Sequence, residues 1–103
     1  MANVPTKGNG TLHVVLDGST DYDAGREYQV LAVEICPAAG NDICTIRDET
    51  VTGVKVVKVK MSADTDQRYF DFSRFPAGSK DIRPCVAAAD VSANVELIIH
   101  IAG

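Results

Sequence analysis

Apolar and polar residues alternate in short runs along most of this chain. The most regular runs are residues 11–17 and 94–101, where every second residue is aliphatic. Alternation with a period of two residues is typical of a β-strand that buries one face. The predicted inward-facing core residues are Leu12, Val14, Leu16, Leu31, Val33, Phe70, Phe72, Val95, Leu97 and Ile99.

Two runs depart from simple alternation. Residues 26–35 are apolar in both phases, which is typical of a central strand that is covered on both sides. In residues 51–61 the apolar phase changes between Val56 and Val57. Because a regular strand keeps its phase, a β-bulge is predicted at this point.

Clusters of Gly, Asn, Asp and Pro separate these runs, and no run carries an uninterrupted helical stripe. Weaker strand patterns occur at residues 43–47, 67–73 and 82–88, and Pro84 is expected to place the start of the last one at an edge or a bulge. The series predicts an all-β fold, namely a small antiparallel β-sandwich of about 6–7 strands, with a small barrel as the alternative. It resembles immunoglobulin-like sandwiches in strand count and length only, since the chain has no Trp.

The length and the balance of residue types predict one soluble domain over residues 1–103. Apolar residues make up 46% of the 103 residues and charged residues 23%, as in ordinary globular domains. Residues 1–9 are expected to form a flexible or extended N-terminal arm. No apolar stretch approaches the ~20 residues of a membrane helix, so no membrane partner is expected.

The charge of the chain argues against a nucleic-acid partner. Its formal net charge is −4, which repels phosphate backbones. The one basic cluster consists of Lys55, Lys58 and Lys60, and it lies within an apolar strand pattern. These lysines are therefore interpreted as solvent-facing or edge-guarding charges.

The N-terminus and the cysteines bear on localisation. Residues 1–8 contain no apolar segment of the kind found in secretory signals. Three cysteines are an odd number, which fits reduced thiols better than a disulfide framework. Intracellular synthesis is therefore expected, in the cytoplasm or a virion, with a mature secreted domain as the alternative. Cys36 and Cys44 flank a turn, so the sequence leaves open whether they form a disulfide.

The sequence predicts no catalytic residue, no cofactor and no metal ligand. The two histidines, His13 and His100, lie on the outward phases of strands near opposite ends of the chain. A Ser, Cys or Thr nucleophile needs an oriented base, and no known motif for one is present. If the terminal strands are neighbours, however, the two histidines come together as a titratable pair.

Two metal sites remain as alternatives. Two His and three Cys on a sandwich resemble cupredoxins, but Cys85 is followed by Val-Ala-Ala-Ala and lacks their clustered C-terminal ligands. The acidic loops at residues 17–23 and 64–66 offer carboxylates to Ca²⁺. Their spacing does not match an EF-hand, and Asp is also an ordinary turn residue.

The leading hypothesis is a non-catalytic structural or interaction domain that acts through contacts with a protein partner or with copies of itself. Assembly and virion decoration are typical roles of small β-domains. The expected contact surface comprises Val15 and Ile98, which form an outward apolar patch, beside His13 and His100. The alternative is a ligand- or Ca²⁺-binding module that uses the acidic loops. A small enzyme or a cupredoxin-like metal domain is the third hypothesis.

Overall fold

A computed structural model of the chain describes residues 5–25, 27–72 and 82–102. These residues form nine strands and a single 3₁₀ turn at Ala88–Asp90. β1 and β3 have two residues each, so the seven longer strands agree with the 6–7 that the sequence predicts. The strands are β1 (Thr6–Lys7), β2 (Thr11–Val15), β3 (Tyr22–Asp23), β4 (Val30–Cys36), β5 (Ile43–Asp48), β6 (Lys55–Lys60), β7 (Arg68–Asp71), β8 (Pro84–Val86) and β9 (Glu96–Ile101).

The strands form two antiparallel sheets that pack face to face. The five-stranded sheet has the order β1-β2-β9-β4-β7, and the four-stranded sheet has the order β3-β8-β5-β6. Neither sheet closes into a barrel within the described residues, so the sandwich prediction is confirmed and the barrel alternative is wrong. No helix in the described part of the chain is long and apolar enough to cross a membrane.

The core lies between the two sheets. The inward residues of β2 and β9 are buried as their alternation predicts, and Phe72 is buried just after β7, while Phe70 is partly buried against the core. Every predicted core residue except Leu31 therefore lies in or against the core. Fully buried strand residues are Val14, Val33, Ile35, Leu97 and Ile99 from the five-stranded sheet and Cys44, Ile46 and Val86 from the four-stranded sheet.

The prediction of Leu31 as a core residue is wrong because β4 contains a bulge. Its register against β9 shifts between Val30, which lies opposite Ile101, and Ala32, which lies opposite His100. Leu31 is the extra residue at this shift and is 40% exposed. Since β4 is apolar in both phases, its sequence carries no phase change that would indicate the bulge.

The bulge predicted in the lysine-rich strand is confirmed. In β6 the register against β5 shifts so that Val57 lies opposite Ile46 and Lys55 lies opposite Arg47, which leaves Val56 as the extra residue. After the bulge, buried valines alternate with exposed lysines, as predicted for solvent-facing charges. β6 is also an edge strand of its sheet.

Two further expectations concern Pro84 and the N-terminal segment. Pro84 is the first residue of β8, an interior strand of its sheet, rather than part of an edge or a bulge. A first position tolerates a residue that lacks a backbone N–H. In the segment expected to be an arm, β1 pairs with β2 and places Thr6 opposite His13.

Replacing Phe72 with Ala is expected to lower the free energy of unfolding by about 3–5 kcal/mol, because it empties a buried aromatic site. That is a large share of the ~5–15 kcal/mol that stabilises a typical domain. Chemical denaturation followed by circular dichroism measures the change. Tyr69→Ala is the matched control. Because Tyr69 is 58% exposed, its replacement should lower the free energy of unfolding much less. An unchanged midpoint for Phe72→Ala would contradict the inward placement of this residue.

Candidate functional site

The candidate site is the outer face of the five-stranded sheet, formed by the outward-pointing residues of β2, β9, β4 and β7. β9 lies between β2 and β4, so residues from both ends of the chain meet there. One row across the four strands runs from His13 to Ile98, then to Glu34 and to Tyr69, each directly opposite the next. This outer face contains all four predicted contact residues: Val15, Ile98, His13 and His100.

The adjacent rows complete the outer face. His100 lies opposite Thr11 on one side and opposite Ala32 on the other. Glu96 lies opposite Val15, and on its other side it lies opposite Cys36. In each row, the residues that lie opposite each other belong to strands that are far apart in the sequence. For this reason the sequence alone did not predict which outward residues are neighbours.

Each histidine on the outer face binds a glutamate on the neighbouring strand. His13 Nε2 lies 2.6 Å from Glu96 Oε1, and His100 Nε2 lies 2.7 Å from Glu34 Oε1. In both cases the partner is a diagonal neighbour in the sheet. The terminal strands are therefore adjacent, but the histidines form two separate His–Glu pairs rather than one pair with each other.

β7 and Gln67, the residue just before it, add further contacts to the second His–Glu pair. The side-chain amide of Gln67 donates a hydrogen bond to Glu34 Oε2. The ring of Tyr69 packs edge-on against the ring of His100, with 5.8 Å between centroids. Glu34, Glu96 and Tyr69 were not predicted as site residues. Their outward phase is visible in the sequence, whereas their proximity to the histidines depends on strand order.

The apolar part of the outer face consists of Val15 and Ile98. Val15 is 44% exposed, and Ile98 is half-buried between the two His–Glu pairs. Since Val15 lies opposite Glu96, it is a diagonal neighbour of Ile98, and diagonal positions are about 7–8 Å apart. The structure therefore places the two predicted apolar residues next to each other.

Exposed side-chain pairs of this kind contribute little to folding. Exposed pairs typically stabilise a protein by about 0–1 kcal/mol, and both side chains of the His13–Glu96 pair are more than two-fifths exposed. The core between the sheets holds the fold, so the outer face can change without loss of the sandwich. Neither histidine is hydrogen-bonded to a Ser, Thr or Cys side chain in the described residues.

All three cysteines are free thiols, so Cys36 and Cys44 do not form a disulfide in this structure. Cys36 is half-buried on the outer face, and its pKa is raised by burial and by the charges of Glu96 and Glu34. Cys44 is buried in the core, and burial raises its pKa to about 12. Burial likewise raises the pKa of Cys85 to about 12.

The carboxylates of the acidic loops are engaged in turns and ion pairs. Asp17 accepts hydrogen bonds from the backbone N–H groups of Ser19 and Thr20 at 3.0 and 2.9 Å. These bonds lower its pKa. Gly18, inside this turn, has a φ of 74°, a conformation that favours glycine.

Asp23 and Asp66, in the same loops, bind arginine side chains. Asp23 accepts a hydrogen bond from Arg83 Nε at 2.8 Å, and this arginine lowers its pKa. Asp66 accepts from Arg68 Nε at 2.7 Å and from the backbone of Ser62. The described residues contain no group of three or more His, Cys, Asp or Glu that is arranged to hold a metal ion.

Comparisons of the chain with protein-family models, with curated proteins and with solved structures find no match. The geometry of the outer face is therefore the basis for proposing a function.

The thiols are expected to react with a disulfide reagent in a fixed order. Thiolate is the reactive form, so the buried Cys44 and Cys85, each with a pKa of about 12, should stay protected at pH 8 in the folded protein. Cys36 should react first because it is partly accessible. Mass spectrometry after timed labelling measures the order, and full labelling in denaturant is the control. Fast labelling of Cys44 would contradict its burial.

The acidic loops are expected to bind no Ca²⁺ tightly, because their carboxylates already serve the turns and the arginines. The melting temperature should therefore be the same in millimolar Ca²⁺ and in chelator, since a ligand that binds only the folded state raises it. Asp17→Asn serves as the comparison variant. A rise of several degrees in Ca²⁺ that is lost in this variant would support the Ca²⁺-binding alternative.

Proposed function

We propose that this protein is a non-catalytic interaction module whose contact surface is the outer face of the five-stranded sheet. Ile98 and Val15 form the apolar centre of the contact, and the pairs His13–Glu96 and His100–Glu34 form its polar surroundings. The proposal includes assembly roles such as virion decoration, in which a small β-domain binds other protein chains.

The observation that carries the proposal is the placement of Val15 and Ile98 among paired polar residues on one face of the sheet. Val15 is 44% exposed and is a diagonal neighbour of Ile98. A contiguous apolar patch on a small domain usually marks a contact surface. Protein interfaces combine such a centre with a polar rim.

The outer face is held rigidly in a form that is ready for contact. Its residues stand on four hydrogen-bonded strands directly above a core in which Val33, Leu97 and Ile99 are fully buried. The His–Glu pairs restrain their own side chains. Binding therefore costs little additional ordering of the chain, which favours affinity.

The size of the outer face indicates a contact of modest affinity. β9 has six residues, which corresponds to roughly 20 Å, and the four strands of the outer face at ~4.8 Å spacing give a similar width. The projected area is thus about 400 Å², below the ~800 Å² per partner of a standard stable interface. We expect association that depends on concentration rather than a permanent complex.

Replacing Ile98 with Lys is expected to abolish association and to leave the monomer folded, because Ile98 points away from the core. The variant places a charge at the apolar centre of the outer face, where burial of an unpaired charge is costly. Light scattering across a concentration series measures self-association. Retention of other proteins from an extract of the source organism measures binding to a different partner.

Ala39→Lys is the matched control, since it adds the same charge on an exposed loop away from the outer face. It should behave like the parent in both measurements. Association that survives Ile98→Lys, or the absence of any association by the parent, contradicts the proposed function. Unfolding of Ile98→Lys would show instead that Ile98 belongs to the core; in that case Val15→Lys, at a more exposed position, repeats the test.

A further inference from the structure

A second surface of unbalanced charge lies on the opposite side of the molecule. We call it the lysine face: Lys55, Lys58, Lys60 and Ile43, on the outward side of β5 and β6. The three lysines are exposed, and none of them forms an ion pair in the described part of the chain. Ile43 lies directly opposite Lys60 and is 41% exposed.

The outer face of the five-stranded sheet has the opposite charge. Its outward strand positions include Glu34, Glu96 and Asp71, and none of these positions in β2, β9, β4 or β7 is a Lys or an Arg. The carboxylates of Glu34 and Glu96, on one side of the sandwich, thus face away from three ammonium groups on the other. Both sides also carry exposed aliphatic residues.

The carboxylates of the outer face have capacity for additional donors. A carboxylate offers about four acceptor positions. Glu96 uses one of them for His13, and Glu34 uses two, for His100 and Gln67. The spacing of two lysines is also close to that of the two glutamates. Lys58 and Lys60 are two residues apart in one strand, or roughly 6.6 Å. Glu34 and Glu96 are diagonal neighbours on β4 and β9, which places them about 7–8 Å apart.

The two surfaces cannot meet within one chain, because they are the outward sides of two sheets that pack against each other. They can meet only between copies. Complementary patches on different sides of a molecule produce a heterologous, head-to-tail contact, which generates a ring or an open filament rather than a two-fold dimer.

We infer that the partner of the outer face is a second copy of this chain, which docks through its lysine face. This inference rests on the proposed function and names the partner. The ammonium groups of Lys58 and Lys60 approach Glu34 and Glu96, while Ile43 packs near Ile98 and Val15. Charge complementarity sets the orientation of the two copies, and salt weakens the contact because exposed charges are screened.

A simpler explanation of the lysines is that they guard an edge strand against pairing with another chain. That role requires charge on β6 but no contact with a carboxylate. The two explanations predict different results for a variant in which glutamates replace the lysines. Glutamates also place charge on an edge strand, but they repel the carboxylates of the outer face.

The test uses two variants, each defective in one surface. The double variant Lys58→Glu, Lys60→Glu retains the outer face, and Ile98→Lys retains the lysine face. Each variant alone is expected to lose at least roughly tenfold in association constant relative to the parent, because like charges are brought together. Lys58→Arg, Lys60→Arg is the matched control and should associate like the parent.

Mixing the two defective variants gives the decisive result. Each then offers the intact surface that the other lacks, so we expect a complex of two chains with a mass of about 22 kDa, twice that of the 11.0 kDa chain. Sedimentation velocity measures the mass, and circular dichroism checks that each variant is folded. The mixed complex should dissociate when NaCl is raised to about 0.5 M, where surface charges are strongly screened.

Three results would overturn the inference. A mixture that stays monomeric while the parent associates excludes the head-to-tail contact. Undiminished association of the glutamate double variant excludes the lysine face, and together with loss of association in Ile98→Lys it indicates a symmetric contact of two outer faces. A parent that is monomeric at every concentration excludes self-association, whereas Ile98-dependent retention of another protein would then still support the proposed function.

Discussion

The structure depends above all on the pairing of the last strand, β9, between β2 and β4. Its inward residues Leu97, Ile99 and Ile101 are buried and join the core that holds the two sheets together. Its outward residues Ile98 and His100 belong to the outer face. One strand of alternating pattern therefore supplies the interior of the sandwich on one side and the candidate contact surface on the other.

The same arrangement separates stability from interaction. Burial of apolar side chains provides most of the favourable free energy of folding, and those side chains lie between the sheets. The His13–Glu96 pair of the outer face contributes little to it, since both of its side chains are more than two-fifths exposed. The outward positions of both sheets can therefore vary in charge with little effect on the core, and the proposed contact uses carboxylates on the outer face and lysines on the lysine face.

The two bulges show how far an alternating pattern predicts local structure. In β6 the apolar phase changes visibly at Val56, because polar lysines occupy the opposite phase on either side of the bulge. The bulge in β4 could not be predicted from the sequence. Val30, Leu31 and Ala32 are all apolar, so no change from apolar to polar positions marks the extra residue. A bulge can be predicted only where the two faces of a strand differ in polarity.

The sequence by itself determined the fold class and, in the most regular strands, which residues point inward or outward, because this placement depends on local alternation. Its core prediction included fewer than half of the buried core residues in the described part of the chain. The sequence also determined that Val15, Ile98, His13 and His100 share the outward phase. Only the tertiary structure decided that His13 meets Glu96 and that His100 meets Glu34, partners 83 and 66 residues apart. The order of the strands depends on how the two sheets pack their apolar faces against each other. The alternation of residues within a single strand does not predict this order.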